Sequence, residues 1–541
     1  MSKILIIIPA RGGSKGIPRK NLRTLAGKPL IYYSIQTALS LEKEGVDVDV
    51  YVSSEDNEIL ALSQQFGAQI IKRDPVLSGD LVTLDSVICE AYRKVESKAY
   101  DLVITMQPTS PLLKKQSLLQ AIKKMEESPN VETVLSVTSD AHLSWKKEEG
   151  AFVPNYEKRL NRQELPNIYK ETGGFVIARS FLLREGIRIG KNVDVFELNG
   201  PESIDIDDFS DWSLCEYYVK RKQILFIVAG YREIGMGHVY NALSIANEIL
   251  EHEITFLVDN KSQLAFDKIA SNHYKVIKQK APTLLEEVHN LNPDIIINDR
   301  LDTDKEEILE MKKIASHLIN FEDLGSGASE ADLVFNAMYP ERESPANHFY
   351  GLDYFILRDE FLFADRHIPR NEVKRVLVCF GGVDPNDFTR RIVSIFQVYQ
   401  QIEVSVIVGL GYEHFEVLKE DYPQLTIMQN VSNISTEIAK ADIVFTSAGR
   451  TTFETASIGT PAIILCQNQR ETTHFFAWDE YGFKNLGLGS KVTDQAIENA
   501  IKEVFELSVR EEMIQKMNSS NLRNGKTNVL QKIRNLISNE A

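Results

Sequence analysis

Ile6-Ile7-Ile8-Pro9-Ala10-Arg11-Gly12-Gly13-Ser14-Lys15-Gly16-Ile17-Pro18-Arg19-Lys20-Asn21 decides how this chain reads. An apolar run of strand character empties directly into a glycine-rich, cationic loop. Without side chains at Gly12, Gly13 and Gly16, backbone N–H groups can approach phosphate oxygens; Arg11, Lys15 and Lys20 supply positive charge, and Asn21 offers an amide. The pattern predicts a buried strand followed by a triphosphate cradle. It is not a P-loop, because no Gly-Lys-Ser/Thr closes it, and it does not fit the G-x-G-x-x-G dinucleotide fingerprint.

The chain around that loop has 541 residues, more than one core usually supports, so two or three domains are expected. Hydrophobic content of 43% with 26% charged residues is ordinary globular composition. A net charge of −16 argues against a nucleic acid or an anionic membrane as partner, so anionic ligands must be held by local cationic loops. Cys89, Cys215, Cys379 and Cys466 are far apart and form no C-x-x-C pair, which fits reduced thiols and gives no metal site. Met1–Ile8 is too short for a secretory apolar core, and no stretch reaches bilayer-spanning length. A soluble, cytoplasmic protein is the expectation.

Short β-branched runs alternate with amphipathic segments throughout, the pattern of parallel sheets covered by helices. Strands are predicted at Ile4–Ile8, Val48–Val52, Leu102–Met106 and Thr133–Val137, with helices near Pro29–Leu41, Asn57–Phe66, Leu84–Val95 and Gln116–Met125. A helical stretch from Asp208 to Tyr218 ends at Lys220-Arg221-Lys222, after which Ile224–Val228 opens a second glycine loop; the boundary is placed there. Later strands are predicted at Ile254–Val258, Ile295–Ile297, Leu318–Phe321, Val376–Phe380, Val404–Val408, Ile443–Phe445 and Ala462–Leu465. The fold class is α/β: a Rossmann-like parallel or mixed sheet over 1–222, which the resemblance given below makes a nucleotidyltransferase domain, then a two-lobed domain on the glycosyltransferase B-type plan over 223–541, with lobes of about 223–368 and 369–541.

Asp205 and Asp207 alternate with isoleucines, which on an extended segment turns both carboxylates to one face. Two hard oxygen ligands opposite a triphosphate suit Mg²⁺, which keeps waters and takes one or two carboxylates. Gln107-Pro108-Thr109-Ser110-Pro111 follows a strand and reads equally as a proline turn or as an amide and hydroxyls for a sugar or base. The opening loop resembles, residue for residue, the nucleotidyltransferases that make CMP-activated nonulosonic (sialic-type) acids, with Arg11, Ser14, Lys15, Lys20 and Asn21 at the family's spacings. That resemblance implies substrate contacts at Gln107, Thr109 and Ser110, and Mg²⁺ on Asp205 and Asp207. Arg159-Leu160-Asn161-Arg162-Gln163-Glu164 with Tyr169 and Gly173-Gly174 resembles a further family stretch, which implies an active-site role for Arg162 and substrate contacts at Gln163 and Tyr169. Glu164 and Thr172 depart from its usual residues. Arg73, Asp80 and Thr83 fall where family members contact nucleotide; by themselves they read as a surface turn and a helix cap.

In the second half, Gly230-Tyr231-Arg232-Glu233-Ile234-Gly235-Met236-Gly237-His238 places a histidine at a helix start, where the ordinary reading is a cap. Phe380-Gly381-Gly382 and Ser447-Ala448-Gly449-Arg450-Thr451 each join a strand to a helix, so amides near Gly382, Gly449 and Thr451 can hold a diphosphate, with Glu454 for a ribose diol. The Gly-x-Gly-His loop resembles that of UDP-sugar hydrolases of nonulosonate biosynthesis, which implies that His238 activates water and that Asp299 and Gln469 touch the sugar nucleotide. Asn241 stands where that family has arginine, and Arg300-Leu301 where it has an aromatic.

The combined expectation is a bifunctional enzyme. The first half transfers CMP from CTP to a nonulosonic acid of pseudaminic or legionaminic type with Mg²⁺, Lys20 and Arg162 at the reacting centre. The second hydrolyses a UDP-sugar, the alternatives being a glycosyltransferase or a binding module without turnover. A homodimer is expected by the same resemblance.

Overall fold

A computed structural model describes residues 2–14, 16–79, 81–231, 234–342, 345–429, 431 and 433–538, with Arg162 described in its backbone alone. The chain divides into two compact units, one through Arg221 and one from Lys222.

The first unit is built on a mixed sheet in the order 193–197, 133–139, 169–179, 102–105, 4–9, 48–54, 69–72. Ile4–Pro9 is central and pairs in parallel with Val48–Ser54 on one side and Leu102–Thr105 on the other. Both faces are covered, so Leu5, Ile6, Ile7 and Ile8 all have 0% exposure, which is why this strand reads as an unbroken apolar run. Helices Leu30–Leu39 and Lys115–Glu127 cover one face and Leu84–Arg93 the other. Tyr169–Arg179 runs antiparallel between 102–105 and 133–139, with a register break between Glu171 and Val176. The sequence pattern missed this strand because its first residues, Tyr-Lys-Glu-Thr-Gly-Gly, are polar or glycine.

The second unit holds two wholly parallel sheets. One has the order 275–278, 253–258, 223–228, 295–299, 317–321, 333–336, 348–350; the other runs 426–429, 403–408, 375–378, 443–446, 462–466, 483–488. Each is doubly wound, and the two lobes form the expected B-type architecture. The last helix, Gly525–Ser538, does not stay with the second lobe as the 369–541 division supposed. Val529, Leu530, Ile533 and Ile537 pack into the core of the first sheet with Ile224 and Phe226. The physical reason is its apolar stripe: fully burying Ile533 alone is worth about 1.5–3 kcal/mol. Gly525 permits the crossing, since a Cβ there would lie 2.0 Å from the Phe355 carbonyl oxygen. Among the described residues no helix is long and apolar enough to cross a membrane.

Candidate functional site

In the first unit, sequence order reverses beside the central strand, so the loops leaving Ile4–Pro9 and Leu102–Thr105 open a crevice at their carboxyl ends. The glycine loop leaves one strand and Gln107–Pro111 the other. Three contacts draw the predicted residues together. Asn21 Nδ2 donates to the Arg11 carbonyl at 3.0 Å, Lys20 Nζ donates to the Ile206 carbonyl at 2.5 Å, and the Ile206 N–H donates to the Thr109 carbonyl at 2.8 Å. Lys20 therefore sits over the segment carrying Asp205 and Asp207.

Burial pushes the Lys20 ammonium below its ordinary value, with Asp207 and Asp205 opposing, and burial pushes the Asp205 carboxyl up. Asp205 Oδ1 is sealed from solvent without a hydrogen-bond partner, while Asp207 is exposed. The fit is close around both: a Cβ on Gly173 would lie 2.8 Å from Asp205 Oδ1, and one on Gly16 would lie 2.4 Å from the Asp207 carbonyl oxygen. Gly16→Ala is therefore expected to push the loop off this segment at a cost of about 1–3 kcal/mol. Urea unfolding of the first unit measures it; an unchanged midpoint disproves the contact.

The Gly12 N–H donates to Glu55 Oε1 at 2.7 Å; Gly13 is open to solvent, and Ser14 is half-buried beside it. Lys15 and Asp80 lie outside the described residues, as does the Arg162 side chain. Arg73 is 4% exposed, with Nη2 on the Ser53 carbonyl at 2.6 Å, so it lies beneath the loop rather than in a surface turn. Thr83 is exposed and pairs with the Ser86 hydroxyl at 3.0 Å. The Gln107 N–H donates to the Gly173 carbonyl at 3.2 Å, the Thr109 hydroxyl lies beside the Asp205 carboxyl, and the Ser110 hydroxyl is buried without a partner. Gln163 and Tyr169 are exposed, and among the described residues no hydrogen bond ties them to the glycine loop. Among the described residues there is no cluster of three or more His, Cys, Asp or Glu side chains suited to a metal.

The second unit repeats the logic of a strand-order switch. Val228 pairs with Asp299, so the glycine loop after one strand meets the carboxylate that ends the next. Helix Gly237–Ala246 turns His238 toward it, and His238 Nδ1 lies 2.5 Å from Asp299 Oδ1. Asn241, one helical turn on, donates from Nδ2 to Asp299 Oδ2 at 2.8 Å. Both oxygens of the 1%-exposed Asp299 are thus engaged, which fixes the imidazole with Nδ1–H toward the acid and Nε2 as the free acceptor.

His238, Asp299, Gly382, Gly449, Thr451, Glu454 and Gln469 line one cavity of about 610 Å³ between the two sheets. Gly382 packs against Met236, and Gly449 caps helix Arg450–Ile458, leaving the amide end of that helix on the cavity. Glu454 lines the cavity with its Oε1 accepting from Arg358 Nε at 2.8 Å. Gln469 is exposed, with Nε2 on the Thr472 hydroxyl at 3.1 Å.

Several lining groups went unassigned in the sequence. Arg450 donates to the Ile356 carbonyl and, at 3.4 Å, to Asn241 Oδ1, so the helix end of one lobe reaches the histidine pair of the other. Glu322 has a left-handed backbone, φ 51°, and a sealed, unpartnered Oε2; burial and the nearby Asp299 charge push it up to about 8. Burial pushes Glu471 up to about 7 and pulls His474 down to about 4, where His474 Nδ1 donates to the Ala448 carbonyl at 2.6 Å. Glu322 and Glu471 are thus biased toward neutrality, and the Arg450 guanidinium stands on the same cavity, an arrangement suited to an anion. Their only sequence signal was position just past a strand end.

Residues 5–225 match the family profile described as cytidylyltransferase, and residues 375–533 match the glycosyltransferase family 28 C-terminal domain. The chain is 29% identical over 286 residues to an uncharacterized protein of Methanocaldococcus jannaschii, covering 48% of this chain and 58% of that protein. It is 32% identical over 225 residues to N-acylneuraminate cytidylyltransferase A of Danio rerio, covering 40% of this chain and 51% of the relative. The chain thus spans little more than half the length of these two relatives. It is 33% identical over 228 residues to the pseudaminic acid cytidylyltransferase of Campylobacter jejuni, covering 40% of this chain and 97% of the relative. In the second half the matched family is a glycosyltransferase one, which favours the alternative of glycosyl transfer over the expected hydrolase. Through its first unit, this chain belongs to the cytidylyltransferase family.

Proposed function

We propose that the first unit transfers CMP from CTP to the anomeric hydroxyl of a nonulosonic acid, with release of pyrophosphate. The observation that carries this reading is the tie from Lys20 to Ile206, which brings a cationic glycine loop against two aspartates at a strand-order switch. The substrates after which the Danio and Campylobacter relatives are named, N-acylneuraminate and pseudaminic acid, support the substrate class. The donor set suits magnesium: Asp205 Oδ1 lacks a partner, and Asp207 faces solvent one residue past the carbonyl that Lys20 holds. Bound there, the ion would supply charge neutralisation on the phosphates. Lys20 adds a directed cation for charge building on the α-phosphate, and Arg11 flanks it. Asn21 fixes the loop through the Arg11 carbonyl.

The test is incubation of the first unit with CTP, Mg²⁺ and candidate nonulosonic acids, following pyrophosphate. Lys20→Ala is expected to lose about 1.5–3 kcal/mol of charge-assisted bonding, a ten- to hundred-fold lower rate. Wild-type rates in that variant would remove Lys20 from the site, and no pyrophosphate with any nonulosonic acid would end the reading.

For the second unit we infer transfer of a sugar from a UDP-sugar to an acceptor hydroxyl. Support comes from the cavity shared by His238, the Arg450–Ile458 helix end and Arg450. His238 Nε2 takes the acceptor proton; Asp299 orients the ring and stabilises the imidazolium, and Asn241 holds Asp299. UDP release that needs no acceptor would replace transfer with hydrolysis, using the same histidine on water.

A further inference from the structure

Glu55, just past the strand Val48–Ser54, has no part in the chemistry described so far. Its Oε1 accepts the Gly12 N–H at 2.7 Å and its Oε2 accepts the Ser78 hydroxyl at 2.8 Å. The guanidinium of buried Arg73 stands 3.7 Å from the same Oε2. A glycine-loop amide, a hydroxyl and a guanidinium are the partners a phosphate takes in such a cradle. Here a carboxylate of the chain itself holds all three. The loop is pressed close onto this turn, for a Cβ on Gly12 would lie 2.5 Å from Asp56 Oδ2.

The geometry points to Glu55 as the internal occupant of one anion subsite of the glycine loop, displaced when the triphosphate of a nucleotide, or a pyrophosphate group, takes the Gly12 amide. This rests on the reading of the first unit as a CTP site. One amide N–H cannot serve two anions at full strength, and two like charges at hydrogen-bonding distance of one donor repel. An entering phosphate must therefore expel the carboxylate, and the apparent affinity falls by the fraction of molecules in which the amide is free. The same competition returns Glu55 to the amide as pyrophosphate leaves, so the acid weakens substrate and product alike. A carboxylate that only braced the loop would act in the opposite sense, since its removal would loosen the cradle.

The direction of the affinity change decides between these. Calorimetric titration of CTP, and separately of inorganic pyrophosphate, is made into the full chain as wild type, Glu55→Gln, Glu55→Ala and Glu58→Gln. Glu58 pairs with Arg19 at 2.6 Å and touches no glycine amide, so it reports the general effect of one lost negative charge. The expected result is about tenfold tighter binding of both probes in both Glu55 variants, and less than about twofold in Glu58→Gln. Equal or weaker binding in the Glu55 variants overturns the proposal, as does equal tightening in Glu58→Gln. Wild-type chain that binds neither CTP nor pyrophosphate overturns the CTP reading itself, a different outcome from wild-type binding that Glu55 does not modulate. If Glu55→Gln and Glu55→Ala fail to fold, Glu55→Asp draws the carboxylate back from the Gly12 amide while keeping the acid. It is expected to tighten CTP in the same direction, and unchanged affinity there also overturns the assignment.

Discussion

Replacing His238 by alanine is expected to lower sugar transfer from a UDP-sugar by about 10²–10⁴-fold while leaving UDP affinity nearly intact. The asymmetry follows from the geometry. His238 is held on the first lobe by Asp299 at 2.5 Å, whereas the helix end that suits the diphosphate belongs to the second lobe. Loss of the imidazole removes a proton acceptor needed only as the acceptor oxygen attacks, so the defect belongs in kcat. Asp299→Asn should show a smaller loss, because the ring can then flip to the wrong tautomer without vanishing. Initial-rate kinetics with a UDP-sugar and acceptor, alongside UDP calorimetry, measure both halves. A rise in KM with kcat preserved would place His238 in binding and end its role as base.

The double variant Asp205→Asn with Asp207→Asn is expected to slow CMP transfer by about 10³-fold, because charge neutralisation at a phosphoryl centre is worth several kcal/mol. Excess Mg²⁺ should not restore the rate. The fold should survive: Asp208 and Asp211, which form the capping box of helix Phe209–Lys220, are untouched, and neutralising the half-buried Asp205 removes a carboxylate that burial already disfavours. Circular dichroism checks the first point and pyrophosphate release the second. A double variant within tenfold of wild type would show that these acids do not carry the metal.

The strands were legible because parallel strands covered on both faces become uninterrupted β-branched runs. Ile4–Pro9, Leu102–Thr105, Ile295–Asp299 and Ile443–Thr446 end within two residues of the predicted bounds. Tyr169–Arg179 was hidden, since its partners are chosen by strands some thirty to seventy residues away rather than by its own alternation. The returning helix Gly525–Ser538 was hidden too, because an apolar stripe states that a helix packs and not against what.

The candidate sites divide along the same line. By itself the sequence determined the two-unit α/β plan, the glycine loops at 10–21, 230–237, 380–382 and 447–451, and the cations and histidine on them, because backbone approach and local charge are encoded in neighbouring residues. Only the tertiary structure decided the partners. Glu55 reaches Gly12 across 43 residues, Lys20 reaches Ile206 across 186, and Arg450 reaches Asn241 across 209. Those pairings depend on strand order and lobe approach, which place carboxyl ends side by side from stretches of chain that carry no local trace of each other.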